Sequence, residues 1–262
     1  MKRLFFSSLV SVMFVILFSG FSGLSAQSLA EIEAGRVALP NGWKLTPVGK
    51  KVPLGDLPLN LTLSASQRWL AVTNNGQSDQ SIQLYDIRKN SMADSVAVGK
   101  AWLGLAFSDD DKFLYASGGN DNWIVKFALA GGRLTAVDTL VLGKPWPALI
   151  SVAGIALDDS RHLLYAVTRE NNSLYTVDTG SGQVLARYPL GGEAYTCLLS
   201  PDRSRLYISC WGCNQVVLFD AVTQQLDGQV PVGDNPNDLC LSRNGEWLFV
   251  ANANDNTVSV IN

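Results

Sequence analysis

Short apolar runs alternate with polar turns along most of the chain, and the alternation keeps a register. Five runs end in a serine or an aspartate: Leu61-Thr62-Leu63-Ser64, Leu105-Ala106-Phe107-Ser108, Ile155-Ala156-Leu157-Asp158, Cys197-Leu198-Leu199-Ser200 and Leu239-Cys240-Leu241-Ser242. Six residues beyond each of these stands a leucine: Leu70, Leu114, Leu164, Leu206 and Leu248. The leucines are separated by 44, 50, 42 and 42 residues. Between run and leucine lies a polar turn such as Pro201-Asp202-Arg203-Ser204, of the composition that makes tight hairpins. A second strand then carries the leucine, as in Leu206-Tyr207-Ile208-Ser209. A third follows an Asn- and Gly-rich loop, as in Val216-Val217-Leu218-Phe219-Asp220, and a fourth ends in glycine, as in Val230-Pro231-Val232-Gly233. Four short strands per period of forty-odd residues predict an all-β chain, a β-propeller with one period per four-stranded blade.

The closing glycine keeps register too. Gly55, Gly99, Gly191 and Gly233 each lie nine residues before the next Ser, whereas Gly143 lies fifteen before Asp158. Residues 144–151 therefore hold a six-residue insertion, which in repeat proteins falls in a loop, often on the binding face. The register predicts four full blades and a partial fifth, because Asn262 occupies the place of Asp86, Asp178 and Asp220 at the end of a third strand. Lys44 to Leu54 reads as a fourth strand without its first three. Two architectures are compatible with this: a five-bladed ring closed by pairing of that N-terminal strand beside the last one, or the front part of a larger ring.

The runs Ser200-Pro201-Asp202, Leu206-Tyr207-Ile208-Ser209, Leu248-Phe249-Val250-Ala251-Asn252, Asn256-Thr257-Val258-Ser259-Val260-Ile261 and Val232-Gly233-Asp234-Asn235-Pro236 resemble the YVTN-repeat, or YncE-like, β-propeller family. The resemblance covers residues 43–262. It implies a ring of about seven blades, so the longer chain is the preferred architecture. It also implies, through one group with a similar leader and propeller, an alkaline-phosphatase-like phosphoesterase domain beyond the ring. The propeller would then be the N-terminal part of a larger protein, and any phosphoesterase activity would lie in the missing C-terminal domain. Propellers host many unrelated activities, so the fold alone assigns none.

Composition adds a compartment and removes some partners. Lys2 and Arg3 precede an apolar stretch to Phe21, and small residues lead to Ser25-Ala26. That is the layout of a signal peptide over residues 1–26, followed by a linker over 27–42. The stretch is interrupted by serines and is short for a bilayer span, so an exported protein, periplasmic or extracellular and free of the membrane after cleavage, is expected. With 20 Lys and Arg against 23 Asp and Glu the net charge is −3, which supplies no basic field for nucleic acid.

No catalytic constellation is legible. His162 is the only histidine and falls in a hairpin turn. The chain contains no Walker loop, no nucleophile elbow and no dinucleotide fingerprint, and no metal or cofactor is expected. Asp109-Asp110-Asp111 reads as soluble turn residues. Cys210 and Cys213 form a Cys-x-x-Cys pair, suited to a local disulfide or two free thiols, with redox service as an alternative. Cys197 and Cys240 sit one template position apart and so face opposite sides of their strands.

Propeller geometry supplies a better candidate. Loops joining second to third strands emerge on the same face as loops joining one blade to the next. They carry Asn74, Trp102, Asn120, Trp123, Trp146, Arg169, Tyr195, Trp211, Asn237 and Asn252. Aromatic and amide side chains around one funnel suit a small molecule or a protein partner, including the chain's own further domain. The expected function is an exported, non-catalytic binding or scaffold module. The alternatives are a lactonase-like propeller enzyme and a redox protein using Cys210 and Cys213.

Overall fold

The computed structural model describes residues 28–46 and 51–262. The leader expected over residues 1–26 lies outside the described residues. Two compact units are present, Met1–Pro53 and Leu54–Asn262. In the first, a short helix (Leu29–Ala34) precedes a two-stranded sheet in which β1 (Val37–Ala38) pairs with β2 (Lys44–Leu45). Lys44 and Leu45 thus pair with Ala38 and Val37, because the turn at Gly42 folds this segment back on itself. The strand expected over Lys44 to Leu54 is, at Lys44 and Leu45, one arm of this small sheet.

The second unit is a β-propeller of five sheets. The first is β3 (Pro58–Leu63), β4 (Trp69–Asn74), β5 (Ser81–Asp86) and β6 (Ser91–Ala97). The second is β7 (Leu105–Phe107), β8 (Phe113–Ser117), β9 (Trp123–Ala130) and β10 (Arg133–Val141). The third is β11 (Val152–Asp158), β12 (Leu163–Thr168), β13 (Ser173–Asp178) and β14 (Val184–Pro189). The fourth is β15 (Ala194–Leu199), β16 (Arg205–Cys210), β17 (Gln215–Asp220) and β18 (Gln225–Pro231). The fifth has three strands, β19 (Pro236–Leu241), β20 (Leu248–Asn252) and β21 (Thr257–Ile261). Each sheet is an antiparallel meander. The inner strands β3, β7, β11, β15 and β19 pack in chain order around a central cavity of about 390 Å³ that all five line.

The repeated leucine explains how the sheets stack. Its side chain projects from the second strand toward the preceding sheet, and the next residue projects the opposite way. Leu114 and Ala116 pack on Ala71, Ile82 and Leu84 of the first sheet. Leu164 and Ala166 meet Tyr115 and Ile124, and Leu206 and Ile208 meet Tyr165, Val167 and Leu174. Leu248 and Val250 meet Val216, Tyr207 and Leu218. The two outer faces of the series have no such cover within the unit. On the fifth sheet Phe249, Val258 and Val260 are 39, 60 and 55 % exposed, although Tyr115, Tyr165 and Tyr207 occupy the Phe249 position in interfaces. On the first, Leu61 and Leu63 are exposed.

The serine six residues before the leucine builds the turn between first and second strands. Ser200 Oγ accepts the Arg205 N–H at 3.0 Å and donates to Asp202 at 2.6 Å. Ser108 does the same with Phe113 and Asp110, and Ser242 with Trp247 and Asn244. The third turn residue closes on the serine carbonyl in the left-handed region: Gln67, Asp111, Arg203 and Gly245. These turns also join across sheets. Arg203 binds Asp109 of the second sheet and Asp158 of the third, and Asp158 also accepts from Arg161 at 2.5 Å. Burial pushes Asp158 up, but Ser160 and Arg161 hold it below the usual carboxylate range. Asp109, expected to be a plain solvated turn residue, is one end of this three-sheet clasp.

Asp110 is held down at about 2 by the Lys112 ammonium and N–H and the Ser108 hydroxyl, and Asp202 at about 2 by the Ser200 hydroxyl and the Ser204 N–H. An unfolded aspartate titrates near ~3.9. The turns therefore contribute stability that is complete above that pH and is lost as pH falls toward about 2. The urea midpoint should drop between pH 5 and pH 2.5 (about the window of these titrations), and drop less in D110N/D202N. An unchanged acid limb in that double variant contradicts the assignment. Ser200→Ala should cost about 1 kcal/mol at neutral pH by leaving the Arg205 N–H without its bond.

Candidate functional site

Five of the ten candidate residues form one connected run at the mouth of the central cavity. Trp102 lies in the loop between β6 and β7, and its ring meets that of Tyr195 edge-on at 6.4 Å. Tyr195, in β15, stacks on Trp211 at 5.4 Å with planes 29° apart. Trp211 opens the 3-10 turn Trp211–Cys213 after β16, and its carbonyl accepts from Asn235 at 3.1 Å. Asn237 hydrogen-bonds the Tyr195 hydroxyl, whose pKa burial pushes up. Arg169, just past β12, lies over the Trp102 ring with its guanidinium carbon 5.2 Å from the centroid and is ion-paired with Glu193. All five are half-buried, so each keeps an accessible edge.

Asn120 joins this group through a cavity of about 330 Å³ that it lines with Trp102 and Arg169. Gln80, Lys100, Ser151 and Glu170 complete much of its wall. Asn120 Oδ1 accepts the Ser151 hydroxyl. Ser151 ends the insertion, and the buried Asn122 ties that insertion down. Its Nδ2 donates to the Lys144 and Ala148 carbonyls at 2.6 and 2.7 Å, and its Oδ1 accepts the Ser151 N–H at 2.9 Å. The insertion thus borders the mouth, and Trp146, 64 % exposed, stands out on it.

The remaining three candidates have other surroundings. Asn74 and Asn252 are buried at the ends of β4 and β20, ten residues after the turn serine. Asn74 donates to Ser81 and Gln83, and Asn252 to Thr257 and Ser259. Each fills the space where a side chain on the closing glycine would go: a Cβ on Gly55 or Gly233 would lie 2.7 Å from the Asn74 or Asn252 Cγ. That is why glycine keeps register there. Trp123 packs half-buried on the second core and against Gly118.

Lys100, Gln80, Glu170 and Glu193 were not among the candidates read from sequence. Lys100 directly follows the closing Gly99, and Glu170 directly follows Arg169, so position in the repeat carried a usable signal for both. Gln80 and Glu193 become neighbours of the mouth only through contacts between sheets.

The thiols are all free. Cys210 is buried, and burial raises its pKa; it hydrogen-bonds Cys213, whose sulfur accepts from Gln215 at 3.3 Å. Cys197 lies in the core and Cys240 is exposed, on opposite faces of their strands. His162 is an exposed left-handed residue in the turn after Arg161.

Comparisons with known proteins agree with this architecture. YncE of Salmonella typhimurium is 25 % identical over 153 residues, 58 % of this chain and 42 % of the relative, and YncE of Salmonella typhi matches equally. The chain spans about two fifths of the length of these curated relatives. The hydrazine synthase subunit beta of Kuenenia stuttgartiensis is 38 % identical over 120 residues, 34 % of this chain and 31 % of that one. No protein-family model matches the sequence. A Desulfotomaculum acetoxidans protein superposes with a TM-score of 0.63 at 16 % identity, over 78 % of this chain and 68 % of its own. A candidate 6-phosphogluconolactonase from Bacteroides uniformis gives 0.63 and 16 %, over 78 % and 65 %. At that identity these likenesses show fold alone.

The thiol environments set an order of reactivity. With an aromatic disulfide reagent, Cys240 should react promptly in the native protein, and Cys197 and Cys210 only after denaturation. Prompt modification of Cys197 would contradict its place in the core. By sheets and register the chain is a β-propeller, and over 153 residues its sequence is similar to YncE.

Proposed function

We propose that this chain is an exported, non-catalytic binding propeller whose ligand or partner face is the mouth bearing Trp102, Arg169, Tyr195, Trp211 and Asn237. The observation that carries this is the coupled aromatic run, braced by the Arg169–Glu193 ion pair and bordered by a polar cavity. Aromatic edges and fixed polar groups around a concavity are what small-molecule sites and interface anchors are made of. The leader-like composition of the first 26 residues supports a periplasmic or extracellular setting.

The propeller in this proposal is the N-terminal part of a larger protein with an alkaline-phosphatase-like phosphoesterase domain. The exposed face of the fifth sheet supports further repeats, because Phe249, Val258 and Val260 hold positions that elsewhere lie under the next leucine. A lactonase-like enzyme is the competing reading, suggested by the resemblance to the Bacteroides uniformis protein.

Two measurements separate these. In protein labelled with 5-fluorotryptophan and titrated with a library of small polar metabolites, ligands should move the Trp102 and Trp211 resonances and leave Trp69 and Trp247 in place. Shifts confined to Trp69 or Trp247, or lactone hydrolysis above the buffer rate, would overturn the binding reading. The reading frame beyond Asn262 should encode at least one more serine–leucine repeat; a stop codon there contradicts the longer protein.

A further inference from the structure

The turn after the second strand is built alike in four sheets, and in the fourth it holds two thiols. It ends on a left-handed asparagine fourteen residues past the turn serine or aspartate: Asn122, Asn172, Asn214 and Asn256. The residues ten and thirteen past that start flank the turn, and their side chains converge. In the third sheet they are Thr168 and Asn171, and the Thr168 hydroxyl donates directly to Asn171 Oδ1. In the fifth they are Asn252 and Asp255, whose Nδ2 and Oδ2 would lie 2.6 and 2.5 Å from one Cβ placed on Gly233. In the fourth they are Cys210 and Cys213.

The local helix type explains the meeting. Cys210 caps the 3-10 turn that Cys213 ends. Three residues per turn bring side chains three apart into line, with a rise of about 6 Å between them. That spacing falls in the Cα window of about 4.4–6.8 Å that a disulfide spans. Cys213 packs against the core cluster that contains Cys210, and the two hydrogen-bond. Their access differs. Cys210 is buried, whereas Cys213 is half-buried, set against Gly192 with Gln215 donating to its sulfur at 3.3 Å. The pair is therefore approached from Cys213, and Cys210 meets only the sulfur of its neighbour.

We propose that Cys210 and Cys213 form a reversible thiol–disulfide site, oxidised by small disulfides of the glutathione type, and that its closure moves Trp211. The Cys213 sulfur attacks one sulfur of the reagent, forms a mixed disulfide and releases one small thiol. Cys210 then attacks the Cys213 sulfur and releases the second. Two protein thiols become one disulfide, the reagent is reduced to two thiols, and both protons leave on these. The new bond holds the sulfurs about 2.05 Å apart. Trp211 and Gly212 are the only residues between them and take up the change. Trp211 stacks on Tyr195, and the Gly212 N–H donates to the Glu193 carbonyl at 3.3 Å. Glu193 in turn pairs with Arg169 over Trp102. That closure matters to a ligand rests on the mouth being the binding face; the disulfide and the movement of Trp211 do not.

The full chain, labelled with 5-fluorotryptophan and incubated with oxidised glutathione, tests this. Mass spectrometry after alkylation of the remaining thiols should show a Cys210–Cys213 disulfide, with Cys197 free and glutathione on the exposed Cys240. The Trp211 resonance should shift, Trp69 and Trp247 should stay in place, and dithiothreitol should restore the starting spectrum. Cys210→Ser should stop at the mixed disulfide and keep glutathione on Cys213, and Cys213→Ser should leave Cys210 free. Glutathione retained on Cys213 of the unaltered protein, no reaction at Cys213, or a disulfide that leaves the Trp211 resonance unmoved would each overturn the proposal. The unaltered chain decides all three, so a variant that fails to fold leaves the test intact. A disulfide that forms while no metabolite moves Trp102 or Trp211 sinks the binding reading alone. Metabolites that move them while Cys213 stays free sink this proposal alone.

Discussion

The fold depends on one contact made four times: a leucine from the second strand of each sheet set into the face of the sheet before it. Leu114, Leu164 and Leu206 are fully buried there and Leu248 nearly so. A β-sheet with an apolar face is stable only when that face is covered, and here each sheet covers its predecessor. Stability is then close to a sum of nearest-neighbour interfaces, as in other repeat architectures. The outer faces of the first and fifth sheets carry the same apolar pattern without the same cover.

Around that stack the polar residues divide by height. At one end the turn serines and the Asp109–Arg203–Asp158 clasp tie neighbouring hairpins together. At the other, loops between second and third strands and between sheets carry the aromatic run and the charged cavity. The insertion before Asp158 is held by Asn122, so it forms part of a fixed rim and not a loose loop. Rigid strands thus present the loop side chains at constant spacing, the arrangement by which scaffolds carry sites.

Much of the fold was legible because it repeats. The leucine period gave the sheets, and the serine, the closing glycine and the Asp at the third strand's end all kept register with it. Lys44–Leu45 was misplaced because a two-residue pairing with Val37–Ala38 leaves almost no periodic signal. The site was half legible. Asn74 and Asn120 are the same residue type, yet the first ends a strand and turns inward while the second sits in the loop and opens outward. Repeat position, ten against twelve residues past the turn serine, separates them. Glu193 with Arg169, and Arg203 with Asp109, could not be read at all. These pairs join different repeats, and nothing local in the chain marks them.

The central claim is that the repeated leucine acts through the sheet before it. Denaturant unfolding of alanine variants tests it most directly. Leu114→Ala, Leu164→Ala, Leu206→Ala and Leu248→Ala should each cost about 2–5 kcal/mol, the range for a buried leucine that leaves a cavity. Leu70→Ala, at the same repeat position on the half-covered outer face, should cost less than half as much. Equal losses at Leu70 and Leu206 would mean that the leucine stabilises its own sheet and that the stacking account is wrong.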